Sequence, residues 1–393
     1  MSRDLGFSDR VIGMGIGVFF FSYLALQIPG ALLVERWSAR RVVSSTMIAW
    51  GTLTAFTALV RTPTQLYLAR FVLGAAEAAF FPGVIVYLSH WFIRQDRAKA
   101  TSNFMAAIPL SLCIGSPIAG WILGHRWFHI EGWRWLFVLE GLPAVLLGIV
   151  AYFLLTDWPE QASWLSAEQR GWIRQRLAEE KKTTGQGLGI RNTLRSPVVV
   201  LLSAIAFLDY LAGYTTIFWL PTILKRQSGY SDLHLGLLTA IPYATALVAM
   251  LINGWHSDQC RERRWHAVAP LLLTAIGLVG LLAFPGSMRL SVFWFCLACM
   301  TPAFLPPFWS IPTEIMSEAA AAAAVGMING VASIAGFAGP YAFGYLATRT
   351  GSLNYGFAGM LLAVLMAAVV FVVTPLERHR PAPATLAYDP AKV

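Results

Sequence analysis

The sequence predicts an all-α polytopic membrane protein, and three observations carry that prediction. The 393 residues are 57% hydrophobic and 12% charged, with a mean hydropathy of +0.60. A soluble chain of ordinary composition carries about 25% charged residues. Apolar runs of 18 or more residues recur along the chain, each long enough to cross a bilayer as a helix. The short segments of alternating polarity that mark an outer-membrane barrel do not appear.

Eleven spans are expected, at 11–34, 42–60, 64–92, 98–124, 134–156, 197–224, 233–256, 266–284, 290–316, 321–348 and 353–374. They divide the chain into an N-terminal bundle of five spans (1–156), a hydrophilic linker (157–196), a C-terminal bundle of six spans (197–376) and a tail (377–393). Asp157-Trp158-Pro159 stops the fifth span. In the linker, Ser166 and Gln169 have the spacing of a capping box and predict a short amphipathic helix up to Lys182. Thr183 to Gly189 reads as a flexible connection.

Orientation follows from the basic residues. Nineteen Lys and Arg fall in 35–41, 93–99, the linker, 257–265 and the tail, against nine on the other side. The side with nineteen is expected to be cytoplasmic, with the C-terminus inside and the N-terminus outside. The net charge of +9 resides in these loops, so topology explains it and nucleic acid is not an expected partner. Cys113, Cys296 and Cys299 lie in apolar runs and Cys260 in a basic loop. Cys296 and Cys299 form a CxxC inside a lipid-soluble helix without a histidine, so they read as packing residues. No metal, cofactor or enzyme activity is expected, because no nucleophile–base set, phosphate loop or metal cluster appears.

Ionisable residues inside spans are the functional candidates. Each costs roughly 2.5–3.5 kcal/mol on insertion scales at mid-helix and usually faces a polar cavity. Arg70 and Glu77 are seven residues apart, close to two helical turns, and share one face with Gly74 between them. Burial disfavours the Glu77 carboxylate and a nearby cation favours it, the tension a group needs to load and release a proton. Arg70 offers bidentate geometry to a substrate carboxylate. Asp209 lies mid-span, as a second proton or cation site, an acceptor for a substrate hydroxyl, or a structural hydrogen-bond partner. Tyr210 and Tyr214 are one turn apart, placed either to line the cavity, with Tyr214 a substrate-binding candidate, or to pack on a neighbouring helix. Trp309, in Pro306-Pro307-Phe308-Trp309, presents a ring for packing on a substrate or on another helix. Glu140 reads as structural. Glu314 and Glu318 lie at a span end reached by solvent, and His90 and His256 read as interfacial.

An internal repeat organises the two halves. Ala31-Leu32-Leu33-Val34-Glu35-Arg36-Trp37-Ser38-Ala39-Arg40-Arg41 matches Gly254-Trp255-His256-Ser257-Asp258-Gln259-Cys260-Arg261-Glu262-Arg263-Arg264 at an offset of 223. Glu35 falls on Asp258, and Arg40-Arg41 on Arg263-Arg264. An acid held against arginines at helix ends can latch one face closed. This loop follows the second of six spans in the second half but the first of five in the first half. One further span is therefore expected before Met1. Two such halves with an intracellular linker is the parallel-repeat plan of transporters whose site lies at the bilayer midplane.

The chain resembles the major facilitator superfamily, and within it the anion:cation symporter family with its tartrate and aromatic-acid permease branch. The resemblance is carried by Tyr23-Leu24-Ala25-Leu26-Gln27-Ile28-Pro29-Gly30, by Arg70 through Glu77 to Phe80-Phe81-Pro82-Gly83, and by Phe104-Met105-Ala106-Ala107-Ile108-Pro109 through Gly115-Ser116-Pro117. It continues in Gly132-Trp133-Arg134-Trp135 through Glu140-Gly141, Phe218-Trp219-Leu220-Pro221, Asn329-Gly330 and Gly336-Phe337-Ala338-Gly339-Pro340. It implies a major facilitator fold of two bundles and proton-coupled uptake of a small organic anion by alternating access. It gives Glu77 the role of the coupling carboxylate, Arg70 that of the helix's basic residue, and Tyr23, Trp309 and Asn329 positions on the substrate cavity. The family's first helix, with its Asp-Arg pair, has no match here, and Ala31 and Glu35 stand where the family usually has Gly and Asp. The expected protein is a monomer of the plasma membrane, the bacterial inner membrane. Its expected partners are the organic anion, protons and the lipid bilayer. The substrate is a tartrate-like dicarboxylate or an aromatic carboxylate, with a sugar acid such as a hexonate or hexuronate as the other choice. The rival reading is a non-transporting homologue, either a sensor or a truncated inactive product.

Overall fold

The computed structural model describes residues 1–93, 100–101, 103–183, 190–284, 287–316 and 318–375. The expected tail (377–393) and loop residues Arg94, Arg97 and Lys99 lie outside them, as do the side chains of Glu35, Arg36 and Glu318. Each expected span falls on helix. The N-terminal bundle follows a short helix α1 (Ser2–Leu5) and consists of α2 (Asp9–Arg36), α3 (Ala39–Thr57), α4 (Pro63–Glu77), α5 (Phe80–Trp91), α6 (Ala107–Leu123) and α7 (Gly132–Leu154). The linker holds α8 (Ala167–Thr183) and α9 (Ile190–Leu194). The C-terminal bundle consists of α10 (Pro197–Gln227), α11 (Asp232–Cys260), α12 (Arg264–Ala283), α13 (Met288–Ala298), α14 (Thr301–Ile315), α15 (Glu318–Thr350) and α16 (Asn354–Val373). Among the described residues, eight stretches of helix are long and apolar enough to cross a membrane.

Three expected spans are not single helices; one of them, 98–124, is interrupted by a turn at Ala106. Span 64–92 breaks between α4 and α5, and span 290–316 between α13 and α14. A proline offers no N–H to the carbonyl four residues earlier. Pro82 leaves the Ala78 carbonyl without its helical donor, and Pro302 does the same to Ala298. The chain breaks at those two places, which the internal repeat makes equivalent. Discontinuous spans are tolerated where they are buried in protein or line a cavity. Glu77 is the last residue of α4, so the break places its carboxyl where the helix ends.

The packing repeats as well. In the C-terminal bundle α12 packs on α16, and α10 lies against α15 and α16. In the N-terminal bundle α3 packs on α7 in the same way. Of the apolar spans among the described residues, those of α6 and α7 are the least covered, with 17% and 11% of their most apolar stretch buried against 50% for α10.

The bundles meet along two seams, α2 with α15 and α6 with α11. The repeat relates one seam to the other. The second is closed by glycine: a Cβ on Gly120 would strike the Asp232 carbonyl, and one on Gly236 the Ser116 carbonyl. Backbone cannot retreat as a side-chain tip can, so Gly236→Val is expected to cost about 1–3 kcal/mol. The check is thermal unfolding in detergent, and an unchanged unfolding temperature would mean the helices separate there without cost.

The linker is anchored rather than wholly solvated. The capping box forms as expected: the Gln169 N–H donates to Ser166 Oγ (3.1 Å) and the Ser166 N–H to Gln169 Oε1 (3.0 Å). Before it, Trp158 stacks on His90 at 3.9 Å and Trp164 on Trp91 at 5.6 Å, which ties the start of the linker to the end of α5.

Candidate functional site

The site assembles from α2, α4, α7 and α10. Arg70 and Glu77 project from one face of α4, as their spacing requires. Gly74, between them, lets α2 approach: a Cβ there would strike the Phe19 carbonyl and Ser22 Oγ. The Arg70 guanidinium lies over the Phe137 ring at 5.8 Å. Two carboxylates act on it, Glu77 from its own helix and Glu140 from α7. Among the described residues neither closes to an ion pair, so its donors are not consumed by a tight internal partner. Glu77 in turn acts on Arg70, on Tyr23 of α2 and on Tyr214 of α10. It therefore stands where the two bundles face each other.

An aromatic row that includes Tyr23 and Tyr214 crosses from one bundle to the other. From α2, Tyr23 stacks on Phe19 (5.9 Å), and Phe19 meets Phe20 edge-on (5.2 Å). Phe20 then meets Tyr214 of α10 edge-on at 5.1 Å. Along α10 the row continues to Tyr210 (5.7 Å) and to Phe218 (6.5 Å). Such pairs contribute about 0.5–1.5 kcal/mol each beyond their burial.

The remaining predicted residues are distributed around this row. Trp309 is buried in the main hydrophobic core of the C-terminal bundle. Its indole N–H faces the Tyr210 hydroxyl but makes no hydrogen bond of full geometry. Asn329 is half-buried on α15, and its carbonyl accepts from Ser333 Oγ at 2.8 Å. The next residue, Gly330, faces Leu24 of α2 across the first seam. Asp209, just before Tyr210 of the row, acts on that residue. It is 1% exposed, on the buried stripe of α10, and its Oδ1 has no hydrogen-bond partner.

The repeated loop is held by contacts in both halves. In the second, Arg263 donates to Asp258 Oδ1 (2.6 Å), to Ser257 Oγ (2.9 Å) and to Glu314 Oε1 (2.8 Å). Burial alone would lower the Arg263 guanidinium, but Asp258 and Glu314 more than offset this and hold it above its ordinary value. Arg264 donates to the carbonyls of Val372 (3.3 Å) and Thr374 (2.9 Å) at the end of α16. In the first, where the Glu35 side chain lies outside the described residues, Asp157, which read in sequence only as the end of a span, is an acid in contact. It accepts from Ser38 Oγ (2.7 Å) and from the Arg40 N–H (2.8 Å). The Arg40 guanidinium lies over Tyr152 at 5.4 Å, and Arg41 is exposed.

The Arg263 side chain is 15% exposed and Asp258 64%. Asp258→Ala is therefore expected to cost about 1 kcal/mol or less. Arg263→Ala removes its contacts to Glu314 and Ser257 as well, although Glu314 stays partly solvated and Ser257 keeps its bond to the Glu262 carbonyl, and is expected to cost about 1–2 kcal/mol. Thermal unfolding of the two variants should separate them in that order, and equal losses would argue against the shared role of Glu314.

Sequence reasoning missed Glu140, Phe137, Phe20 and Phe218 as neighbours of the site. The i, i+4, i+8 aromatic spacing of Tyr210, Tyr214 and Phe218 was a readable signal for one face of α10. For Glu140 the signals were its cost inside a span and its place in the Gly132 to Gly141 stretch of the resemblance.

Comparison with known proteins agrees with this architecture. A model of the Major Facilitator Superfamily matches residues 1–231 and 202–391. A protein of Agrobacterium vitis named as a tartrate transporter is 39% identical over 389 residues, covering 98% of this chain and 88% of its own. A protein of Pseudomonas putida named as the metabolite transport protein NicT is 38% identical, covering 92% of this chain and 84% of its own. The xylose transporter XylE from E. coli, in a partially occluded inward-open conformation, superposes with a TM-score of 0.72 at 15% identity. It covers 95% of this chain and 89% of its own and shows the shared fold. The chain is thus a multi-pass membrane protein that belongs to the Major Facilitator Superfamily, a family of transporters and not of enzymes.

Proposed function

We propose that the protein is a secondary active transporter that imports a small organic anion together with protons, by alternating access, across the bacterial inner membrane. The observation that carries this reading is a buried cation, Arg70, flanked by Glu77 and Glu140, with Glu77 also acting on Tyr23 of one bundle and Tyr214 of the other, two members of an aromatic row that spans both. Arg70 holds the substrate carboxylate. Glu77 takes the coupling proton, because it feels both the arginine and the opposite bundle and so changes surroundings when the bundles rock. Tyr23, Tyr214, Asn329 and Trp309 line the substrate's path. Asp209 is a second, buried acceptor for a proton or a substrate hydroxyl. The arginine-rich face is cytoplasmic, with the C-terminus on that side. There Asp258, Arg263, Arg264 and the equivalent Glu35, Arg40 and Arg41 latch the closed state. The protein works as a monomer.

The nearest support for substrate class comes from relatives named for tartrate and metabolite transport. The aromatic row favours a planar or aromatic carboxylate at least as well as a hydroxylated dicarboxylate, since rings stack on rings. Uptake of labelled tartrate, an aromatic carboxylate and a hexuronate into proteoliposomes under an imposed pH gradient tests both points. Accumulation of one acid that collapses with the gradient supports the reading. Binding without uptake would favour a sensor, and uptake driven by sodium alone would remove the proton from the scheme.

A further inference from the structure

A cleft of about 520 Å³ opens between the start of α11 and the start of α13, on the membrane face opposite the arginine-rich loops. Its lining changes character with depth. Tyr230, His234 and Arg289 are exposed at the helix-start end, which forms the mouth, and Leu237, Ile241 and Val292 follow farther along the two helices. Leu238 and Met288 close the floor against the second hydrophobic core of the bundle. Leu237 and Ile241 are 50% and 46% exposed although they lie within an apolar span. The cleft therefore opens sideways, toward hydrocarbon.

Its length is informative. Asp232, the first residue of α11, and Ile241 are nine residues apart, about 13 Å along the helix axis. One leaflet contributes about half of a 30 Å hydrocarbon core. The cleft thus runs along most of one leaflet. Its charge is informative as well. Arg289 is exposed and makes no ion pair or hydrogen bond among the described residues. Nearby, Asp232 is already paired with Lys225. The mouth consequently offers a cation with no competing internal anion, and no uncommitted acid for a cationic headgroup. The His234 ring is oriented by Ser231, whose Oγ lies 2.7 Å from Nδ1.

We infer that this cleft binds an anionic glycerophospholipid from the surrounding leaflet. The phosphate is held by Arg289 and His234 beside the Tyr230 hydroxyl, and one acyl chain lies along Leu237, Ile241 and Val292. The site is separate from the central cluster and does not depend on the transport reading. A soluble anion would use the mouth but leave the apolar depth empty. A zwitterionic lipid would bring an ammonium for which the mouth has no partner.

Native mass spectrometry of the purified full chain tests this, after delipidation and exposure to equal amounts of phosphatidylglycerol, phosphatidylethanolamine and phosphatidylcholine. Phosphatidylglycerol is expected to be retained preferentially. Arg289→Glu should cut its retention by about tenfold, and Arg289→Lys should preserve most of it. Ile241→Trp, which fills the depth of the cleft, should weaken all three lipids together. Equal retention of the three lipids by the wild type would overturn the proposal. So would wild-type retention in Arg289→Glu, or displacement of the lipid by glycerol 3-phosphate, which has the headgroup chemistry but no chain. Matching elution volume and unfolding temperature between Arg289→Glu and Arg289→Lys separate a lost site from a lost fold.

Discussion

Glu77→Gln is expected to abolish accumulation while leaving exchange intact. For one proton per substrate, a gradient of one pH unit supports about a tenfold concentration ratio, since one unit is 1.36 kcal/mol. The wild type should approach that ratio in proteoliposomes and the variant should stop at unity. Counterflow of labelled against unlabelled substrate should persist, because glutamine keeps the size and hydrogen-bonding capacity of a protonated carboxyl. It should also lose its dependence on pH. The expectation rests on where Glu77 lies: at the end of α4, beside Arg70, and within reach of Tyr214 on the opposite bundle. Full accumulation by the variant would move the coupling role elsewhere, with Asp209 the next carboxyl to test.

Arg70→Ala is expected to remove substrate binding. Truncating one partner of a desolvated charge pair costs about 2–5 kcal/mol, roughly 30-fold to several-thousand-fold in Kd. Arg70→Lys should recover part of this, because it keeps the charge and loses the bidentate fork. Phe137→Leu serves as a control. It removes the ring beneath the guanidinium and should cost far less, since cation–π contacts contribute about 0.5–2 kcal/mol. Binding by isothermal calorimetry and uptake KM should move together across the three variants. A wild-type KM for Arg70→Ala would mean that Arg70 only sets the field between Glu77 and Glu140.

The two variants also distinguish transport from its rival. A sensor requires Arg70 for binding but has no accumulation for Glu77→Gln to lose. A transporter requires both residues, for different steps.

Much of this frame was legible beforehand, for identifiable reasons. Helices in lipid satisfy their own backbone, so apolar runs alone locate them. The Ser166–Gln169 box formed because both partners are local. Arg70 and Glu77 declared themselves through the cost of charge inside a span. Other features had no local signature. Asp157 caps α3 from 117 residues away, and Trp158 and Trp164 anchor on His90 and Trp91 through folding of the linker. Glu314 read as a solvent-reached span end, yet it completes the Arg263 pair from 51 residues away. Glu140 read as structural, and only the packing of α7 brings it to Arg70.

By itself, then, the sequence determined the class of protein, the order of its spans, the repeat that relates its halves and the two charges at its centre. Each depends on composition, period or spacing along one chain. The tertiary structure alone decided that α4 and α13 break where Pro82 and Pro302 withhold donors, and that Phe20 and Tyr214 meet between the bundles. It alone decided that Asp209 faces the packed interior while Arg70 faces Phe137. Those outcomes depend on which helix faces which, and that is set by packing between residues a hundred or more positions apart.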